Sequence, residues 1–192
     1  MDLQTLNPKV FAMWELRRAG GPVYFQESSE EDVAALEEIM GRSLPEDYKE
    51  FLLKYSTIGI VQSIGAGYFP CKFPKRNEIH MHFTPVLDAK LTFGVVRRFC
   101  YPHPDFQGVS PRVSRDLLPL TGDNQSAVLI DLRPESFGNV LYLPYVRKQV
   151  FGKHANYGWN NVGYVAPSFT DFLRELGTEE ELKARYPGWK VI

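Results

Sequence analysis

Apolar positions recur at helical spacing at both ends of the chain, and in short β-prone runs in its middle. Val10, Phe11, Trp14 and Leu16 give a first segment one apolar side. Asn7 is placed to cap that helix, Pro8 fits its first turn, and Gly20-Gly21 end it. A second helical pattern opens at Ser29, with Asp32 three positions on, in the spacing of a capping box. It carries Val33, Leu36, Glu37 and Met40, so only part of its face is apolar, and Gly41 is a natural stop. Ser43-Leu44-Pro45-Glu46 repeats the capping-box spacing ahead of Tyr48, Phe51, Leu52 and Tyr55. Those four fall at i, i+3, i+4 and i+7 and predict one continuous buried stripe. Near the end, Ser168 with Asp171 opens a helix bearing Phe169, Phe172, Leu173 and Leu176, which Gly177 stops. Thr178 with Glu181 then opens a last short helix that runs to about Tyr186.

The middle of the chain is organised around residues 118–143. Two apolar runs, 127–132 and 140–143, flank Arg-Pro-Glu-Ser-Phe-Gly-Asn, whose Pro134, Gly138 and Asn139 are turn formers. This predicts a β-hairpin. Val128, Ile130 and Leu132 share one face; Leu129 shares the other with Asp131, so the strand is expected to be buried fully on one side and partly on the other. The polar loop 121–126 is where the sheet is expected to meet solvent or a partner. Residues 59–64, 67–69, 80–83 and 162–165 read as short strands, and 91–100 as a strand or a short helix. Residues 101–112, with Pro102, Pro104 and Pro111, predict an irregular loop, and 144–161 a loop or strand pair. No repeat or linker interrupts the pattern, so residues 1–192 are expected to form a single domain.

Composition narrows the function. The chain has 192 residues, 44% hydrophobic and 23% charged, as in ordinary soluble domains that bury a sizeable core. A net charge of −1 argues against a general nucleic-acid binder. No run is apolar enough to span a bilayer, and the N-terminus lacks a basic region followed by an apolar one. The two cysteines, Cys71 and Cys100, make no disulfide framework, and a reduced pair packed in a cytoplasmic protein is the expectation.

Three segments together carry a resemblance: Gly-Arg-Ser-Leu-Pro-Glu-Asp-Tyr-Lys-Glu-Phe-Leu-Leu-Lys-Tyr at 41–55, Leu-Pro-Leu-Thr-Gly-Asp leading into Val-Leu-Ile-Asp-Leu-Arg at 118–133, and Val-Ala-Pro-Ser-Phe-Thr-Asp-Phe-Leu-Arg-Glu-Leu at 165–176. In this order and spacing they resemble the SUKH superfamily, which includes fungal cell-wall assembly regulators and many bacterial immunity proteins. The resemblance runs over about residues 29–176. It implies an α+β fold with N-terminal helices, a mostly antiparallel sheet and a C-terminal helix packed against it. It also implies a non-enzymatic role, in bacterial members the binding and neutralisation of a cognate toxin domain. The sequence departs from the family in two places. Ser56-Thr57-Ile58-Gly59 stands where the family has an Asn-Gly turn, and Asp123-Asn124-Gln125-Ser126 where it has a Gly-rich loop ending in Asn. The family motifs are mostly structural and transfer no catalytic residues.

The residues themselves offer little other chemistry. His80-Met81-His82 places two imidazoles on one face of a strand, and His103, Cys71 or Cys100 could supply the further ligands that zinc requires. The spacing matches no standard metal pattern, so no metal or cofactor is expected. No nucleophile elbow or P-loop is present. Acids gather at Glu27, Glu30, Glu31, Asp32, Glu37 and Glu38; Arg97, Arg98, Arg112 and Arg115 lie mid-chain, and Lys148 and Lys153 follow the hairpin. These read either as ordinary surface charge or as a patch that steers a partner of opposite charge.

Three functions compete: an immunity protein that binds a toxin domain, a regulator or scaffold of the cell-wall assembly type, and a small metal-dependent enzyme built on His80 and His82. On the first reading, loops on a rigid frame meet the partner. Asp123, Asn124 and Gln125 before the central strand are one candidate contact. Tyr157, Trp159 and Asn160 are the other, since Tyr and Trp are enriched among interface hot spots. The alternative is that Trp159 packs on the core and the Asn residues make turns.

Overall fold

The computed structural model describes residues 1–59, 66–81, 85–102, 111–122, 126–144 and 161–192. In chain order the elements are α1 (Leu3–Leu6), α2 (Pro8–Ala19), α3 (Glu30–Met40), α4 (Glu46–Lys54), β1 (Tyr68–Phe73), β2 (Arg76–Met81) and α5 (Ala89–Cys100). There follow β3 (Leu117–Pro119), β4 (Ala127–Asp131), a 3-10 turn (Pro134–Ser136), β5 (Val140–Leu143), β6 (Gly163–Ala166), α6 (Phe169–Glu175), α7 (Glu179–Arg185) and β7 (Lys190–Val191). The strands form one sheet in the order β3-β4-β5-β6-β1-β2-β7. Its pairings are antiparallel except β2 with β7. This is the α+β arrangement, with a mostly antiparallel sheet, that the resemblance implied.

The caps form where short polar residues precede apolar stripes. Ser29 and Asp32 exchange side-chain and backbone bonds at the start of α3, and Thr178 with Glu181 does the same for α7. Gly41 ends α3 with φ 65°, in the left-handed region where a Cβ is strained. Asn7 caps α2, and its amide also donates to the Leu173 and Leu176 carbonyls, tying the N-terminal helices to α6.

The predicted stripe Tyr48, Phe51, Leu52 and Tyr55 is buried. Phe169 of α6 sits between it and the sheet, its ring 5.0 Å from Tyr48 and 4.9 Å from Phe51. Phe172 meets Phe69 of β1 at 5.9 Å, and Phe69 meets Tyr142 of β5 at 5.1 Å. One aromatic chain therefore runs from α4 through α6 to the centre of the sheet. On the β3 side, α5 packs on β3 and against α3; α7 covers β1 and β2.

Of the two forms expected for residues 91–100 the chain takes the helix, because Asp88 caps it at Leu91 and the buried positions Thr92, Val95, Val96, Phe99 and Cys100 follow helical spacing. Several other details depart from the sequence-based expectations. Ser43 does not cap α4: the helix starts after Pro45, the Leu44 amide is taken by the Glu37 carboxylate, and Ser43 stays exposed. Leu16 is 51% exposed, and the buried positions of α2 are Val10 and Met13. β1 and β2 extend beyond 67–69 and begin before 80, and α1 and β7 went unpredicted. β4 is buried on both faces, Asp131 included. Thr121 is buried too, its hydroxyl accepting the Val128 amide. Residues 60–64, 82 and 83 of the expected strands lie outside the described residues.

Candidate functional site

The sheet register brings several chain connections to one end. Ala127 of β4 faces Leu143 of β5, Tyr142 faces Gly163 of β6, and Pro119 of β3 faces Leu129. Lys72 of β1 faces Tyr164, so the β1–β2 turn falls at that same end. The flanks of residues 123–125, Gly122 and Ser126, and those of 145–160, Pro144 and Asn161, therefore leave the sheet together. Asn161, the turn residues Pro74 and Lys75, and Arg76 at the start of β2 line one surface groove there. Gly163 allows the tight approach of β6 to β1, since a Cβ at that position would overlap the Cys71 sulfur. Asp123, Asn124, Gln125, Tyr157, Trp159 and Asn160 themselves lie outside the described residues, as do Lys148 and Lys153.

Beneath this end lies a polar cluster that strand alternation builds. Arg76, Glu78 and His80 are two residues apart along β2 and so share a face. The Arg76 Nε donates to Glu78 Oε1 at 2.9 Å, and His80 Nε2 lies 2.9 Å from Glu78 Oε2. Phe69, Phe73 and Tyr142 surround the imidazole, with ring centroids 6.3, 5.8 and 4.7 Å away. Burial pushes the His80 pKa down, and the Glu78 carboxylate opposes that shift in part. Cys71, opposite Glu78 in the register, has its thiol pushed up by burial and by the Glu78 charge. Burial likewise pushes the Cys100 thiol up to about 12. Both sulfurs are therefore protonated packing groups, not thiolates. Among the described residues no group of three or more His, Cys, Asp or Glu is placed to hold a metal ion. His82 and His103, on which the metal reading leaned, lie outside those residues. The signal for the Arg76–Glu78–His80 row was the i, i+2 spacing, which a strand begun at residue 80 hides.

The remaining motif polar groups bond within the frame. Asp47 of α4 accepts the Thr170 amide at 2.8 Å and its hydroxyl at 3.0 Å, joining the first motif to the third. Ser168 and Asp171 cap α6. Asp131 holds the hairpin turn through Arg133 and Ser136. Of the charged runs, Asp32 caps α3 and Glu37 pairs with Lys49, whereas Glu27, Glu30, Glu31 and Glu38 are exposed with no ion pair among the described residues. The arginines gather around the C-terminal end of α5. Arg98 donates to the Gly122 carbonyl at 3.0 Å, the Arg112 amide donates to Phe99 O, and Arg115 stacks on Tyr101.

No helix among the described residues is long and apolar enough to cross a membrane. Comparison with curated proteins finds no match for this chain. The model of the SMI1 / KNR4 family (SUKH-1), by contrast, matches residues 27–175, a span that takes in α3, the sheet from β1 to β6, and α6 to its last residue. With most of its length covered, the chain belongs to the SMI1 / KNR4 family (SUKH-1).

Proposed function

We propose that this chain is a cytoplasmic immunity protein that binds a cognate toxin domain and neutralises it without catalysing a reaction. The observation that carries this reading is the family match over residues 27–175, because that family is generally non-enzymatic and includes toxin-immunity proteins and cell-wall regulators. The internal bonding of the motif residues Asp47, Asp131 and Asp171 supports it: they hold a frame and leave recognition to the loops. The common exit of the connections 123–125 and 145–160 at one end of the sheet supports a contact made by both. On this reading Asp123, Asn124 and Gln125 offer short polar groups, Asn160 adds another, and Tyr157 and Trp159 are the aromatic anchors.

The test is co-expression in a bacterium with the toxin domain encoded by an adjacent reading frame. Restored growth and a complex that survives size-exclusion chromatography are expected. Failure to protect, with no complex formed by the purified proteins, refutes the reading. A stable complex with a cell-wall assembly protein in its place would move the chain to the regulator branch.

A further inference from the structure

We propose that the outer face of α5, with the arginines at its C-terminal end, docks an acidic segment of a protein partner. The exposed positions of α5 are Lys90, Leu91, Gly94, Arg97 and Arg98, which at helical spacing make one stripe. Every charge on that stripe is positive; Lys90 pairs with Asp32 of α3 at 3.7 Å, and the cations unpaired among the described residues lie at the C-terminal end. Arg97, Arg98, Arg112 and Arg115 have no carboxylate within ion-pair distance among the described residues; Arg98 is held on a carbonyl and Arg115 on the Tyr101 hydroxyl. The helix dipole favours cations in the last turn, but it leaves their outer charge available.

Gly94 is an independent pointer. A helix-interior glycine costs about 1 kcal/mol relative to alanine. Among the described residues nothing requires it here, because a Cβ at Gly94 would meet none of their atoms within 4 Å. Its missing side chain leaves a notch where another backbone can approach the helix closely. Leu91, 51% exposed, forms one wall of the notch one turn before it, and Arg97 and Arg98 form the other one turn after. A short apolar contact beside a row of guanidinium groups fits a carboxylate-bearing peptide segment. The exposed acids Glu30, Glu31 and Glu38 on the neighbouring α3 confine the cationic surface to this one stripe, so it suits a short acidic segment of a protein and not a long polyanion such as a nucleic-acid backbone. The stripe also runs to Gly122 through Arg98, and so reaches the flank of residues 123–125.

This inference rests on the binding-protein reading and adds the face and the partner's charge. Its test is a backbone-amide NMR titration of the full chain with decaglutamate at low salt, with decaglutamine as the neutral control. Shifts confined to residues 90–98, 112 and 115 are expected, and they should fade with added salt. Arg97→Glu should weaken binding about tenfold, while Lys183→Glu on α7 should not. Gly94→Leu should keep or raise the melting temperature and still weaken binding. The proposal is overturned if decaglutamate does not bind or shifts other faces, or if Arg97→Glu binds as wild type. Tighter binding of a short single-stranded DNA would also overturn it, as would self-association that Arg97→Glu abolishes. Toxin protection separates the two readings. An Arg97→Glu chain that protects fully overturns the α5 face and leaves the immunity role standing. A wild-type chain that docks decaglutamate on α5 but protects against no toxin has the opposite meaning.

Discussion

Replacing Asp131 tests how the central hairpin is held. Its carboxylate is wholly buried and accepts the Arg133 Nε at 3.0 Å, Arg133 Nη2 at 2.5 Å, the Arg133 amide at 3.0 Å and the Ser136 hydroxyl at 2.7 Å. Breaking a buried pair costs about 3–5 kcal/mol when an uncompensated buried charge remains. The Arg133 side chain is 29% exposed and can turn to water, so Asp131→Ala should cost less, about 2–3 kcal/mol. Arg133→Ala strands the buried carboxylate and should cost more than Asp131→Ala. Urea denaturation of both and of the double variant measures this, and the coupling should be about 1–3 kcal/mol. The pH dependence has a definite sign. Burial would raise the Asp131 pKa, but the bonds from Arg133 and Ser136 more than offset it and hold it below the ordinary value. A depressed carboxylate stabilises the fold above its unfolded pKa, and that stability disappears as pH falls through the folded value. The deficit of Asp131→Asn against wild type should therefore be full at neutral pH and shrink below about pH 4. A loss under about 0.5 kcal/mol, or a deficit that grows in acid, would refute the latch.

Further predictions concern the core. Phe51→Ala and Phe172→Ala remove rings at the middle of the aromatic chain and should each cost about 3–5 kcal/mol by chemical denaturation. Tyr48→Phe should stabilise by up to about 1 kcal/mol, raising the melting temperature by roughly 2–4 °C at most, because the buried Tyr48 hydroxyl forms no hydrogen bond of normal geometry among the described residues, with only the Thr92 side chain beside it. Asp47→Ala should cost about 1 kcal/mol, because it removes the acceptor of the Thr170 amide at the start of α6.

The parts legible from sequence were those with a local cause. Ser29 with Asp32 and Thr178 with Glu181 fix helix starts within four residues, and the Tyr48–Tyr55 stripe repeats at the helical period, so both were readable. The hairpin could be read from two apolar runs around Pro134 and Gly138. What failed depended on distant partners. Ser43 carries the spacing of a cap, but Glu37 from the preceding helix takes the Leu44 amide. Asp131 looks like a solvent-facing position until Arg133 and Ser136 fold over it. Residues 91–100, rich in β-branched and aromatic side chains, left strand and helix both open, and the Asp88 cap together with packing on β3 and α3 selects the helix. The candidate loops were chosen by residue type alone, a local signal that names contact chemistry but not its placement. The gathering of Arg98, Arg112 and Arg115 at the end of α5 required the tertiary fold.

The central claim is that a rigid motif frame presents loops that bind a toxin domain. It is tested most directly by calorimetric titration of that domain into wild type, Asp123→Ala and Trp159→Ala, with melting temperatures measured in parallel. Wild type should bind, and at least one variant should lose about 2 kcal/mol or more of binding while melting near wild type. Unfolding of both variants, or binding by both at wild-type strength, would contradict the account.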